Sequence, residues 1–112
     1  MARGKDSTRA TTSLSFKVQV RRAAELDIAE AQVWYDTQRA GLGADFHSEI
    51  SEVFSVLTEN PLIYPALYRD VRRAIVHRFP YLIWYRVLGE EVTVLASTHV
   101  RQNLKKVISR FR

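Results

Sequence analysis

The chain has 112 residues, enough for one domain with a single modest core and too few for two. It contains no cysteine, which excludes disulfides, a thiol nucleophile and thiolate metal ligands. The formal net charge is +5 and no apolar run is long enough to span a bilayer, so the predicted location is the cytoplasm.

The charge is distributed unevenly along the chain. Residues 1–22 hold six basic residues against one acidic residue, residues 23–60 one against eight, and residues 61–112 ten against three. An acidic middle between basic ends is typical of a protein whose basic part faces a polyanion or an acidic peptide. Ordinary solubilising charge is the alternative interpretation.

The chain begins with a segment that lacks hydrophobic periodicity. Residues 1–15 are polar and rich in Ser and Thr, which predicts a disordered leader before a single domain at residues 16–112. Residues 16–22 then alternate apolar and polar side chains, which predicts a half-buried strand.

Two helical stripes follow the first strand. The first comprises Ala24, Ile28, Ala31 and Tyr35. The second comprises Leu42, Phe46, Ile50, Val53, Phe54 and Leu57. Their spacing predicts two amphipathic helices, joined at the break Gly41-Leu42-Gly43 and ended by Asn60-Pro61. Neither stripe can be buried by a helical hairpin alone, so both are expected to pack on a sheet.

Three strand-like runs and a short helix complete the chain. After a connector at residues 61–70, the runs at residues 71–78, 81–88 and 92–99 are rich in β-branched and aromatic residues. Residues 102–112 have helical spacing. The predicted fold is α+β, with a small antiparallel sheet in β-α-α-β-β-β order cradling an N-terminal helical hairpin, and a short C-terminal helix.

The predicted sheet carries many cationic side chains. Alternation along its strands predicts that one face displays them, while the helices cover the other. The candidate residues for binding a target or another partner are Arg72, Arg73, His77, Arg78, Arg86, Arg101, Lys105 and Lys106. Arg72 and Arg73 are adjacent and must point to opposite faces, so one is expected to pair with a helix carboxylate.

An ordered set of short motifs carries a resemblance to a known family. They are Ala24-x-x-Asp27-Ile28-x-x-Ala31-x-x-Trp34-Tyr35, Gly41-Leu42-Gly43-x-x-Phe46, Asn60-Pro61, Tyr64-Pro65, Val71-Arg72-Arg73, Arg78-Phe79-Pro80-Tyr81-x-Ile83-x-Tyr85-Arg86-Val87, Val94-Leu95-Ala96 and His99-x-x-Gln102. Over residues 16–112 the chain resembles the ParE/RelE superfamily, the toxins of bacterial type II toxin–antitoxin (plasmid-stabilisation) modules.

The resemblance implies a sheet cradling a helical hairpin, and it implies partners. RelE-like members cleave mRNA in the ribosome, whereas ParE-like members poison DNA gyrase without being enzymes in their own right. Both are silenced by a cognate antitoxin whose C-terminal segment wraps the toxin, which implies a hetero-oligomer of toxin and antitoxin. No membrane partner is implied.

RNA cleavage would need a general base, a general acid and a cation beside the phosphate. His77 and His99 are the candidate acid–base pair. His99, Arg73 and Arg78 are the candidate catalytic residues if the protein is a metal-independent endoribonuclease. The nuclease branch usually places a further arginine early in the second meander strand, where this chain has Tyr81-Leu82-Ile83. The resemblance therefore favours the ParE-like branch and a protein that is not an enzyme.

Other interpretations of the same residues stay open. His77 also suits an exposed surface position, His99 also suits a supporting role in the fold, and the aromatic residues suit a core. The three histidines lie on different predicted elements without ligand spacing, so neither a metal nor another cofactor is predicted. A basic binding module without toxicity is the remaining alternative.

Overall fold

The computed structural model describes residues 15–111, and residues 1–14 of the predicted leader lie outside them. In chain order, the elements are β1 (Lys17–Val20), α1 (Arg22–Gln38), α2 (Leu42–Glu59), β2 (Ala66–Tyr68), β3 (Val71–Ile75), β4 (Tyr81–Leu88), β5 (Glu91–His99) and α3 (Leu104–Ser109). Within the described residues, no helix is long and apolar enough to cross a bilayer.

The strands form one sheet in the order β1-β5-β4-β3-β2. Neighbours from β2 to β5 are antiparallel, as predicted, and the α+β class with its helical hairpin is confirmed. Two details differ from the sequence prediction. Strand β1 joins β5 in parallel, because the helical hairpin carries the chain back across the sheet, and the predicted connector contributes the short edge strand β2.

The hairpin of α1 and α2 packs on one face of the sheet through the predicted stripes. Ala24, Ile28, Ala31 and Tyr35 of α1 are buried, and the stripe of α2 buries Phe46, Ile50, Val53 and Leu57. The sheet meets them with Ala74, Ile83, Tyr85, Val92 and Val94. Burial of these large apolar side chains supplies most of the driving force for this layer.

A β-bulge in β5 changes which residues face the hairpin. Trp84 lies opposite Ala96 and Tyr85 opposite Val94, so Leu95 is an extra residue in the ladder. Before the bulge, even-numbered residues such as Val92 face the hairpin. After it, odd-numbered residues do, which brings Ser97 to α1.

Helix α3 covers part of the other face of the sheet. Arg73 and Arg86 lie on that face and Arg72 faces the hairpin, so the prediction that one open face displays the cations is wrong. Val107 of α3 is buried against Val71, Trp84, Leu95 and Ala96, which form a second apolar cluster. Asn103 caps α3, because its side-chain oxygen accepts hydrogen bonds from the N–H groups of Lys105 and Lys106. The chain is therefore three-layered, with the sheet between the hairpin and α3.

Candidate functional site

The turn between β3 and β4 carries two of the predicted binding residues, His77 and Arg78. The first of the three predicted runs, residues 71–78, ends early, at Ile75, because Val76 N–H donates back to the Tyr81 carbonyl and Arg78 takes a left-handed backbone conformation (φ 72°). Phe79 is buried, with its ring centroid 4.9 Å from that of Tyr35. The turn is thus anchored in the hairpin layer.

Acidic side chains of α2 face this turn. Arg78 places Nη2 3.6 Å from Asp45 Oδ2 and Nη1 3.6 Å from Glu49 Oε2. His77 Nδ1 lies 3.8 Å from Glu49 Oε1, on a side chain that is 84% exposed. Long ion pairs between partly exposed side chains contribute little energy, so an incoming anion can compete for the Arg78 guanidinium.

Arg72 and Arg73 lie on opposite faces of β3, as predicted. Arg72 faces the hairpin with Tyr85, and its Nη1 donates a hydrogen bond of 2.5 Å to the Tyr64 carbonyl oxygen. Its acceptor is thus a backbone carbonyl of the connector. Among the described residues, neither Arg72 nor Arg73 forms an ion pair with a helix carboxylate, so that prediction is wrong. Arg73 lies on the α3 face, with its guanidinium carbon 5.8 Å from the centroid of the Trp84 ring, within cation–π range.

Arg86 lies on the same face as Arg73 and has an acidic neighbour. Its Nε is 3.1 Å from Asp70 Oδ2. The same nitrogen is buried and makes no hydrogen bond of acceptable geometry within the described chain, so we treat the pair as a Coulombic attraction. Asp70 holds this guanidinium near the edge of the sheet formed by β2 and β3.

His99 ends β5 beside the hairpin. Its ring Nδ1 accepts a hydrogen bond of 3.0 Å from the backbone N–H of Arg101. The backbone N–H of His99 donates to Gln102 Oε1 at 3.1 Å. The ring packs edge-on against Tyr81, with centroids 5.3 Å apart. Because Nδ1 is an acceptor, the neutral ring carries its proton on Nε2 in this arrangement.

The predicted nuclease residues lie on different elements. His99 pairs with Tyr81 on the hairpin face, whereas Arg73 pairs with Trp84 on the α3 face, and Arg78 lies in the turn beyond β3. The sheet separates His99 from Arg73. The catalytic assignment stays a prediction.

Three further predicted binding residues form a group at the start of α3. Arg101 follows β5, and Lys105 and Lys106 lie in the first turn of the helix; all three are exposed. Since exposed cations in one region attract anionic surfaces, this group suits contact with an acidic partner.

Sequence reasoning missed the role of Asp27 and Ser97. Asp27 Oδ2 accepts hydrogen bonds from Ser97 N–H at 2.9 Å and from Arg110 Nη2 at 3.0 Å. The available signal was an acidic residue immediately before the buried Ile28, on the border of the apolar stripe. Its partners could not be identified, because the bulge that turns Ser97 toward α1 has no sequence signature.

Two phenols beside this region stay protonated at neutral pH. Burial raises the pKa of Tyr81, and the negative charge of Asp27 raises it further. Burial also raises the pKa of Tyr35. Both side chains can therefore donate hydrogen bonds but cannot act as general bases. Within residues 15–111, no group of three or more His, Cys, Asp or Glu residues is arranged to hold a metal ion.

Comparisons with known proteins agree with this architecture. A chromosomal ParDE toxin–antitoxin system from P. aeruginosa contains a chain that superposes with a TM-score of 0.69 at 20% identity, covering 78% of this chain and 98% of that one. A chain of the RelBE2 toxin–antitoxin complex from Mycobacterium tuberculosis superposes with a TM-score of 0.54 at 17% identity, covering 76% and 98%. At these identities the likeness shows a shared fold.

Sequence comparison identifies the family. A search among curated proteins finds no significant match. The family model described as the ParE toxin of the type II toxin–antitoxin system, parDE, matches residues 18–104, which span β1 to the start of α3. The chain therefore belongs to the ParE toxin family of type II toxin–antitoxin systems.

Proposed function

We propose that this ParE-family toxin acts by binding and poisoning DNA gyrase, and that a cognate antitoxin neutralises it by wrapping its C-terminal segment around the toxin. Membership of the family supports the proposal. So do two solved relatives of the same fold, which are components of toxin–antitoxin systems. Toxin and antitoxin would then form a hetero-oligomer.

The separation of His99 from Arg73 favours a binding mechanism over RNA cleavage. A nuclease needs its acid, base and cation within reach of one phosphate. Here the two residues lie on opposite faces of the sheet. The first residues of β4 are Tyr81-Leu82-Ile83, without the further arginine. A mechanism that needs only surface contacts places no such demand on the arrangement.

The exposed cations supply the proposed contact surface. His77 and Arg78 form one group at the β3–β4 turn, and Arg101, Lys105 and Lys106 form another at the start of α3. Arg72, Arg73 and Arg86 lie within the sheet and are partly buried, so they are assigned to supporting or peripheral contacts.

A gyrase assay tests the proposal directly. Purified toxin is incubated with gyrase and supercoiled plasmid, and trapped cleavage complexes are released as linear DNA with detergent and protease. We expect linear DNA that increases with toxin, and less of it with the double variant Lys105→Glu, Lys106→Glu. The matched control is Lys17→Glu, Arg21→Glu, which reverses the same charge at exposed positions on β1 and before α1.

Other outcomes would overturn the proposal. If saturating toxin leaves gyrase unaffected and arrested cells show codon-periodic transcript ends that vanish in His99→Ala, the protein is a ribosome-dependent nuclease. If induction leaves growth unchanged, it is a non-toxic binding module. Antitoxin neutralisation is tested separately, by restoring growth through co-expression of the small gene adjacent to that of the toxin.

A further inference from the structure

A recess beside α1 combines carboxylates with an exposed aromatic ring. Asp27, Glu30, Trp34, Tyr81, Ser97 and Gln102 line it, and its volume is about 230 Å³. Trp34 and Tyr81 also border an adjoining apolar pocket of about 410 Å³ that reaches His99. We refer to the first of these as the acidic recess.

A buried hydroxyl in the acidic recess lacks a partner. Ser97 is 4% exposed, and its Oγ makes no hydrogen bond to any described residue. A buried polar group without a partner costs free energy, so a ligand that supplied one would be stabilised. The bulge in β5 directs this residue to the α1 side of the sheet, where it lines the recess.

The charges of the recess favour a cation. Asp27 already binds one guanidinium, that of Arg110, through Oδ2. Glu30 lies one turn further along α1, is exposed, and forms no ion pair with another described residue. Trp34 is 55% exposed, although it is a large apolar side chain, and an aromatic face of this kind attracts cations.

We propose that the acidic recess binds an arginine side chain of a partner polypeptide. The guanidinium offers several N–H donors in a planar fork, which suits the Glu30 carboxylate, the Ser97 hydroxyl oxygen and the face of Trp34 together. A lysine would offer a compact charge that stacks less well on the indole. The adjoining apolar pocket suits an apolar side chain next to that arginine. This inference does not depend on gyrase being the target.

Binding is measured with purified full-length toxin by ¹H–¹⁵N NMR. The probe is N-acetyl-arginine amide, and its neutral isostere N-acetyl-citrulline amide is the matched ligand control. We expect a saturable shift of the Trp34 indole N–H and the Ser97 amide with arginine and little change with citrulline. The indole N–H of Trp84, which is buried and donates to Thr98, serves as an internal reference.

Variants assign the contacts. Glu30→Gln is expected to weaken arginine binding about two- to fivefold, the range of an exposed ion pair. Trp34→Ala is followed through the Ser97 amide and should weaken binding by a similar factor of about two to five. Glu59→Gln, an exposed carboxylate at the end of α2, is the control and should change nothing. Unchanged dispersion of the remaining resonances shows that each variant is folded.

Three results would overturn the inference: no saturable shift with arginine, equal shifts with citrulline, or equal effects of Glu30→Gln and Glu59→Gln. A toxin that traps gyrase yet ignores arginine would refute only this inference. A toxin that binds arginine at the recess yet leaves gyrase unaffected would refute only the proposed target.

Discussion

Asp27 and Arg110 are separated by 83 positions in the chain, yet Asp27 Oδ2 and Arg110 Nη2 lie 3.0 Å apart. The same carboxylate oxygen accepts the Ser97 N–H from β5. One side chain of α1 therefore links the hairpin layer, the sheet and the end of α3.

Replacing Asp27 should destabilise the protein more than replacing Arg110. Asp27→Asn weakens both a backbone hydrogen bond and the ion pair, with an expected loss of about 1–3 kcal/mol in the free energy of unfolding. Arg110→Ala removes only the ion pair, which is partly exposed, so about 0.2–1 kcal/mol is expected. Urea denaturation measures both values. Equal losses would show that the Ser97 bond contributes nothing.

Tyr85 should make stability sensitive to alkaline pH. Its hydroxyl donates to the Pro61 carbonyl at 2.6 Å, and burial raises its pKa to about 12. The unfolded chain loses this proton near pH 10, while the folded chain holds it to about pH 12. Stability from this group is complete below pH 10 and falls as pH rises through that interval, by roughly 2–3 kcal/mol.

Tyr85→Phe tests this linkage. The variant should be less stable at pH 8 by about 0.5–1.5 kcal/mol, because the Pro61 carbonyl loses its donor. Its stability should decline less than that of the wild type between pH 10 and 12. Paired urea denaturation at each pH cancels the contribution of other titrating groups. Parallel declines in the two proteins would show that folding does not raise the pKa of Tyr85.

The helical hairpin could be predicted from the sequence because its stripes repeat at helical spacing and a glycine break separates them. The predicted strand at residues 81–88 matches β4 for the same kind of reason, a continuous β-branched and aromatic run. The faces of the sheet could not be predicted. Strict alternation places Val92 and His99 on opposite faces, whereas the extra residue Leu95 brings both to the hairpin side.

The candidate site was predictable as a list of cations but not as an arrangement. Pairing of Arg78 with Asp45 and Glu49 depends on a left-handed backbone conformation at Arg78. The sequence does not predict this conformation, because residues other than glycine seldom adopt it. Coverage of the second face depends on how α3 docks. Its short apolar stripe indicated docking but not which layer it would meet.

Gly43 should tolerate substitution poorly because of contact, not backbone conformation. A Cβ there would lie 2.6 Å from the Gln32 carbonyl oxygen and 2.7 Å from Asp36 Cγ. Gly43→Ala must therefore separate α1 from α2, at a cost of about 1–3 kcal/mol. Gly41→Ala meets no atom within 4 Å and strains only the backbone (φ 90°), at about 1–2 kcal/mol.

Thermal unfolding of the two glycine variants, each combined with Asp36→Ala, separates these causes. Truncating Asp36 removes the carboxylate contact at Gly43 and also the hydrogen bond of 2.8 Å that Gly43 N–H donates to Asp36 Oδ1. Measured against Asp36→Ala alone, the cost of Gly43→Ala should therefore be smaller than in the wild type. It should leave the penalty at Gly41 unchanged. Equal behaviour of the two positions would exclude helix–helix contact as the reason for Gly43.

Two substitutions of Arg78 separate its contribution to the stability of the fold from its contribution to toxicity. Arg78→Gly and Arg78→Ala both remove the guanidinium, but only glycine relieves the left-handed backbone (φ 72°). Arg78→Gly should therefore be more stable than Arg78→Ala by about 0.5–1 kcal/mol. If the guanidinium contacts the target, both variants should lose toxicity equally in a growth-arrest assay.

Arg69 provides the matched control, since it also has a left-handed backbone (φ 54°) and is exposed but lies outside the predicted binding group. Arg69→Gly and Arg69→Ala should differ in stability in the same way and remain toxic. Toxicity that follows stability across all four variants would assign Arg78 to the fold alone.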